Sequence, residues 1–250
     1  MGYIYNKAGY AMRKSDIKEQ IESNKEIITE LSSGAKSCTR LNNMGWMHSE
    51  LIHETETLFQ YPNYMPPEEK EYHLNYIHIG NLGRAWKYIT RNKKTAIDNY
   101  QIRQLHRILS KNTDIKGGEY RFSDAFIEQL QCDAPTYHIM LQRLGDIEYN
   151  INNSNMPVLI RAFNTHFDIV YAQPFNDFNK RVARLTMNWF LMQNDYTPIF
   201  FNKKSDNRDY MVALYHRANE DYKAYSYYMY KCMLRTQKDI IQLIKKSRGM

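Results

Sequence analysis

From Lys14 onward, apolar residues recur at spacings of three and four in nearly every segment of the chain, and one stretch breaks that rhythm. Such spacing lines one face of an α-helix, because 3.6 residues complete a turn. Ile17, Ile21, Ile27, Ile28 and Leu31 predict a first helix, which the small residues Ser32, Ser33 and Gly34 end. A second pattern covers residues 41–59, and the proline-bearing run YPNYMPPEEK breaks it. Leu74, Ile77, Leu82, Trp86, Tyr88 and Ile89 supply another helix. Ile97, Tyr100, Ile102, Leu105, Ile108 and Leu109 supply the next, with Asp98 near its start. The exception is KGGEYRFSDAFI, where two glycines precede short apolar alternation; it reads as a hairpin or extended flap within residues 118–127. Helical spacing resumes through Met140, Leu141, Leu144 and Ile147. It continues from Pro157, in a first turn, to about Tyr171, and then from Val182 to Met192. One or two further helices run from Tyr210 to Ile244. The expected fold class is all-α with one short β-hairpin flap.

A chain of 250 residues suits one large domain, or one domain with a helical extension. Its 34 Lys and Arg against 27 Asp and Glu leave a net charge of +7, which favours an anionic partner without choosing among nucleotide, nucleic acid or an acidic protein face. Cys38, Cys132 and Cys232 are far apart and lack CxxC spacing, which argues against a disulfide framework or zinc site and for a reducing cytoplasm. No apolar run approaches the length of a membrane span, and the first residues lack a signal-peptide core.

The run AQPFNDFNKRVAR, residues 172–184, concentrates chemistry between two predicted helices. A helix N-terminus offers unpaired N–H groups and the positive end of a dipole, so it attracts phosphate. Asn179 can donate an amide to a phosphate oxygen, and Arg181 and Arg184 can clamp a polyphosphate. Asp177, the one carboxylate, can hold magnesium. On spacing alone, a plain helix start with solvated arginines explains the same residues.

This run resembles the Fic (Fido) family signature, His-Pro-Phe-x-Asp/Glu-Gly-Asn-Gly-Arg-x-x-Arg. Pro174, Phe175, Asp177, Asn179, Arg181 and Arg184 match it; Gln173 stands in place of His, and Phe178 and Lys180 in place of Gly. Through NDFNKR it is also similar to the related Doc toxins. LNYIHIGNLGRAWKYI, QIRQLHRIL, GGEYRF, AFNTHFDIVYAQPF and RDYMVALYHRANEDY resemble successive elements of the same core. The resemblance implies a helical extension at 1–40, a Fic/Fido domain at 41–236 and a helix end with tail at 237–250.

It further implies transfer of AMP from ATP to a hydroxyl of a target protein. Asp177 then holds Mg2+, Asn179 the α-phosphate, and Lys180, Arg181 and Arg184 the rest of the polyphosphate. Gln173 occupies the place of the base, and a carboxamide cannot take a proton near neutrality. Loss of a general base costs about 10²–10⁴-fold in rate. Phe178 is expected to crowd an anion-binding turn that glycine would leave open. Lys180 gives the loop a likeness to the phosphate-transferring toxins. The flap residues Tyr120, Arg121 and Phe122 are implied to meet the target segment, through the main chain more than through the Arg121 side chain.

SELIHET, residues 49–55, resembles the Ser-x-x-Ile-Glu inhibitory helix of the family, with Ser49 and Ile52 in register but His53 where Glu belongs and Glu54 one place later. An ordinary helix of mixed polarity explains it equally well. His106 and His166 match framework positions; His166, two turns before Gln173, is the alternative candidate base. DYKAYSYYMYKCM interleaves Tyr with Lys as an RNA-stacking surface would, yet Tyr222, Tyr225, Tyr228 or Met229 and Cys232 also repeat as a packed helix face, the reading preferred over nucleic acid. Two functions compete. One is an adenylyltransferase-related protein with impaired or altered activity, its partners ATP or another nucleotide and a target protein. The other is a non-enzymatic Fic-fold nucleotide-binding or interaction module, or a Doc-like phosphotransferase. A homo-oligomer is compatible with either.

Overall fold

The computed structural model describes residues 4–5, 11–12, 14–32, 69–201 and 204–249. The helix expected over 41–59, and with it Ser49, His53 and Glu54, lies outside the described residues. The chain divides into two compact units, residues 1–50 with 195–250, and residues 51–194.

In the first unit, strand β1 (Ile4–Tyr5) pairs antiparallel with β2 (Ala11–Met12), a ladder the helical spacing gave no reason to expect. Helix α1 (Lys14–Ser32) buries Ile17, Ile21, Asn24 and Ile28, a run at spacings of four, three and four. Ile27, expected on this face, is 37% exposed, because one residue along a helix is about 100° of rotation. The chain closes with helices α7 (Lys204–Ala218) and α8 (Tyr222–Ser247), and α1 and α7 both pack on α8. Gln237 of α8 accepts from Asn24 Nδ2 at 3.4 Å and donates to the Ile21 carbonyl at 3.0 Å, so the buried amides satisfy each other. Tyr225, Tyr228, Met229 and Cys232 are buried along α8, while Tyr222 is exposed; the Tyr–Lys run is chiefly a packing face.

The second unit begins with α2 (Glu69–Arg91), which buries Leu82, Ala85, Trp86 and Ile89. Helix α3 (Asn99–Leu109) starts at Asp98, whose Oδ1 accepts from the Gln101 N–H at 2.8 Å, and buries Ile102, Leu105, His106 and Leu109. Helix α4 (Tyr137–Asn153) packs on α5 (Val158–Ala172), which follows Pro157, and α5 packs on α6 (Asn179–Gln193). Residues 182–191 of α6 are all buried, which makes it the central helix of the unit; α2 and α3 also lean on it.

The hairpin differs from the one expected at 118–127. Strand β3 (Phe126–Ile127) pairs antiparallel with β4 (Cys132–Asp133) across a 3-10 turn at Glu128–Leu130, with Gln131 left-handed at φ 51°. The Gly-rich stretch before it forms no ladder because its N–H groups are spent elsewhere. Gly118 N–H donates to His106 Nδ1 at 2.8 Å, and Arg121 N–H to the Pro174 carbonyl at 3.0 Å. Gly118 itself is required, since its φ is +76° and a Cβ there would lie 3.0 Å from the Arg103 carbonyl. Among the described residues the architecture is helical with short two-stranded ladders, and no helix is long and apolar enough to cross a membrane.

Candidate functional site

Helices α5 and α6 are joined by six residues, Gln173 to Phe178, and their mutual packing makes them antiparallel. Both ends of this loop are left-handed: Gln173 has φ 44° and Phe178 φ 62°. A non-glycine residue there costs about 1–2 kcal/mol. Phe178 offsets the cost by burying its ring to 3% exposure, edge-on to His78 with centroids 5.4 Å apart and with the Arg181 guanidinium above it at 4.6 Å. Burial of such a ring contributes about 1.5–3 kcal/mol. The ring is thus turned into the protein, and the crowding expected from a Phe in place of Gly is met by packing it away.

The loop is held from three sides. Arg121, 1% exposed, donates Nε to the Gln173 carbonyl at 2.6 Å, one Nη to the Ser123 carbonyl at 2.8 Å, and the other to the Ala172 carbonyl at 3.3 Å and to the Pro135 carbonyl. Burial lowers its pKa, with Asp124 acting in the opposite direction. Beneath the loop, the His106 ring stacks on Phe175 at 3.9 Å and 2°. Burial pushes His106 down to about 4, against a smaller opposing effect of Asp177, so the imidazole is neutral and its Nδ1 is free to accept from Gly118. Within the loop, Asn179 Oδ1 accepts from the Phe175 N–H at 2.9 Å while its Nδ2 donates to the Phe175 carbonyl at 2.7 Å and to Gln173 Oε1 at 2.8 Å.

A cleft of about 460 Å³ opens at this loop, lined by Gln173, Asn176, Asp177, Phe178, Asn179, Lys180 and Arg181 on one side and by Phe126 and Glu128 of the hairpin on the other. Five residues read from the sequence as site residues therefore meet: Gln173, Asp177, Asn179, Lys180 and Arg181. Arg184 does not line the cleft. It is 7% exposed, within the wholly buried run 182–191 of α6, and its charge helps burial hold the His166 imidazole down to about 3. His166, the alternative candidate base, is fully buried and does not line the cleft. Tyr120, Arg121 and Phe122 lie off the cleft too: Tyr120 packs against Phe175 at 5.6 Å, Arg121 is the loop clamp, and Phe122, 78% exposed, stacks on Tyr137 at 5.0 Å. Phe126 and Glu128 were missed; placing the hairpin at its turn, after Ile127, would have found them.

The first turn of α6 opens on the cleft with no side chain capping it, since Phe178 occupies the N-cap position. Asp177, an exposed residue, accepts from the Phe178 N–H through Oδ1. A helix N-terminus without a side-chain cap, with an ammonium and a guanidinium beside it, has the chemistry that suits an anion, and a neighbouring carboxylate suits a hard cation.

Residues 96–191 match the Fic/DOC family. The chain is 31% identical over 137 residues to a protein adenylyltransferase Fic of Drosophila willistoni, covering 53% of this chain and 27% of that one. It is 27% identical over 177 residues to a protein adenylyltransferase Fic of Nematostella vectensis, covering 65% and 39%. It thus spans well under half the length of these relatives. The fold is similar to that of Fic-1 (residues 134–508) from C. elegans, with a TM-score of 0.72 at 17% identity over 93% of this chain and 74% of that one. It is equally similar to a Fic domain containing signaling protein from Bacteroides thetaiotaomicron, again with a TM-score of 0.72 at 17% identity, over 91% and 97%. The family match, the adenylyltransferase relatives and the shared helical fold together make residues 96–191 a Fic/DOC-family domain.

Proposed function

We propose that the cleft binds the phosphates of ATP with Mg2+, and that the domain is a derivative of protein adenylyltransferases in which AMP transfer is impaired. The observation that carries this is the uncapped N-terminus of α6, opening on a cleft beside Lys180 and Arg181. Backbone amides of the first turn would hold phosphate oxygens, with the two cations neutralising their charge. Asp177 fits magnesium through the carboxylate oxygen that does not accept from Phe178. Among the described residues no group of three or more ligating side chains gathers, which suits an ion that takes most of its ligands from water and phosphate. Bound magnesium would supply charge neutralisation on the polyphosphate.

Transfer of AMP forms a bond from a target hydroxyl oxygen to the α-phosphorus, expels pyrophosphate, and requires the hydroxyl proton to go elsewhere. Gln173 Oε1 already accepts from Asn179, and Nε2 donates to the Val170 carbonyl at 2.7 Å. Neither atom takes a proton near pH 7, so the chain retains positioning groups without a base. The test is incorporation of label from α-labelled and γ-labelled ATP into lysate proteins. The unmodified chain should transfer little or none. Gln173→His should restore α-label transfer, or require Phe178→Gly and Lys180→Gly as well. Strong α-labelling by the unmodified chain would refute the reading.

A second reading, phosphate transfer in the manner of Doc toxins, is favoured by Lys180 lining the cleft. It predicts label from the γ position alone in Gln173→His. ATP binding without transfer in any variant would favour the nucleotide-binding module, and absence of ATP binding the interaction module.

A further inference from the structure

Asn179 has two amide hydrogens, and both are spent: one on the Phe175 carbonyl at 2.7 Å, one on Gln173 Oε1 at 2.8 Å. The orientation of each carboxamide is fixed from its far side. Phe175 N–H must find an oxygen, which sets Asn179 Oδ1 at 2.9 Å and so turns Nδ2 away from it. The Val170 carbonyl must find a donor, which sets Gln173 Nε2 at 2.7 Å and so turns Oε1 toward Asn179. The Oε1···Nδ2 contact follows from these two constraints. Asn179 is also 5% exposed, so water does not share in the arrangement.

From this geometry we infer that Gln173 is a positioning residue that latches the Asn179 amide within the cleft wall, so that an incoming phosphate must break the Gln173–Asn179 bond to gain the Asn179 donor. The inference rests on the phosphate reading above. Gln173 is the one side-chain acceptor in the set. The Phe175 main chain supplies the others and keeps Asn179 in place whatever stands at 173. Loss of Oε1 therefore frees one donor without freeing the residue. Residue 173 thereby acts twice: it withholds a base, and it charges the ligand for an internal hydrogen bond. The exchange is a neutral carboxamide acceptor for a phosphate oxygen, a stronger acceptor, so binding opens the latch without needing a second effector.

The test compares the 250-residue chain with Gln173→Met, which keeps the length and bulk of the side chain and removes the acceptor. Calorimetry with ATP and Mg2+ should show Gln173→Met binding about two- to tenfold tighter, the worth of one ordinary hydrogen bond no longer given up. Proton exchange of the Asn179 side-chain amide, followed by NMR without nucleotide, should be slow for both hydrogens in the parent. In the variant it should quicken for one and stay slow for the hydrogen on the Phe175 carbonyl. Equal or weaker ATP binding by Gln173→Met, with the parent binding, overturns the latch and leaves the phosphate site standing. So does exchange unchanged at both hydrogens. If neither protein binds ATP, the phosphate reading falls and this inference with it.

Discussion

The two walls of the cleft are built on opposite principles. On the α5–α6 side, nearly every polar group of the loop already has a partner within the protein, and its rings are buried against histidines. On the hairpin side, Phe126 is 56% exposed, Glu128 is exposed, and the strands that carry them pair over two residues each. A pair of two-residue strands has little stability of its own. The loop wall is held in one geometry by its internal hydrogen bonds and ring stacking. The hairpin wall is built to be adjusted, and family members that differ in partner can differ there at low cost to the fold.

Removing the clamp should break the comparison most severely. Arg121→Ala leaves four carbonyls without their donor in a buried setting, and should cost about 3–5 kcal/mol in a urea titration. A loss under 1 kcal/mol would mean that the loop holds itself. Acid should attack the same wall next. His106 is pushed down to about 4 in the fold from an ordinary value of 6.5. The unfolded chain therefore takes up a proton that the folded chain refuses across that interval. Stability is complete above about pH 6.5 and declines as pH falls toward 4. His166, pushed to about 3, extends the loss further into acid. NMR titration of the His106 ring should show no protonation above pH 5; protonation near 6.5 would mean that the stack on Phe175 admits water.

Smaller changes sharpen the contrast. Arg181→Ala should weaken ATP binding about ten- to a hundredfold in calorimetry, the worth of a hydrogen bond to a charged group, with little change in stability. An unchanged affinity would move the anion site elsewhere. Phe178→Gly gains the relief of a left-handed residue and loses a buried ring. The net should be a destabilisation of about 0.5–1 kcal/mol by urea, and a protein stabilised by more than about 0.5 kcal/mol would refute the packing account. Phe126→Ser, on the other wall, should shift the urea midpoint by no more than about 0.5 kcal/mol, since the ring is more than half exposed.

Helices were readable because their information is local. The apolar spacing around Ile102, Leu105 and Leu109, and Asp98 as a cap, need no knowledge of the rest of the chain. The meeting of Gln173, Asp177, Asn179, Lys180 and Arg181 was readable for the same reason, since all lie within nine residues of a loop and one helical turn. Where reading by spacing failed, the deciding partner was distant. Tyr120 and Phe122 alternate as a strand does, but the Arg121 N–H is claimed by Pro174, fifty-three residues on, and the ladder forms later. Arg184 follows Arg181 by three residues and would share its edge on an isolated helix, yet α6 is surrounded at that depth.

The sequence by itself determined a helical fold, through its short-range apolar spacing, and the position of the loop between two helices; its signature-like run carried the resemblance to the Fic/DOC family and showed that no imidazole stands at position 173. Tertiary structure alone decided that the Phe178 ring is buried, that Arg121 clamps the loop, that Arg184 is interior, and that Phe126 and Glu128 share the cleft with the loop. Those outcomes depend on which donors and cavities remain after distant segments have packed. A buried N–H or ring takes the partner that excludes water from it, wherever in the chain that partner lies.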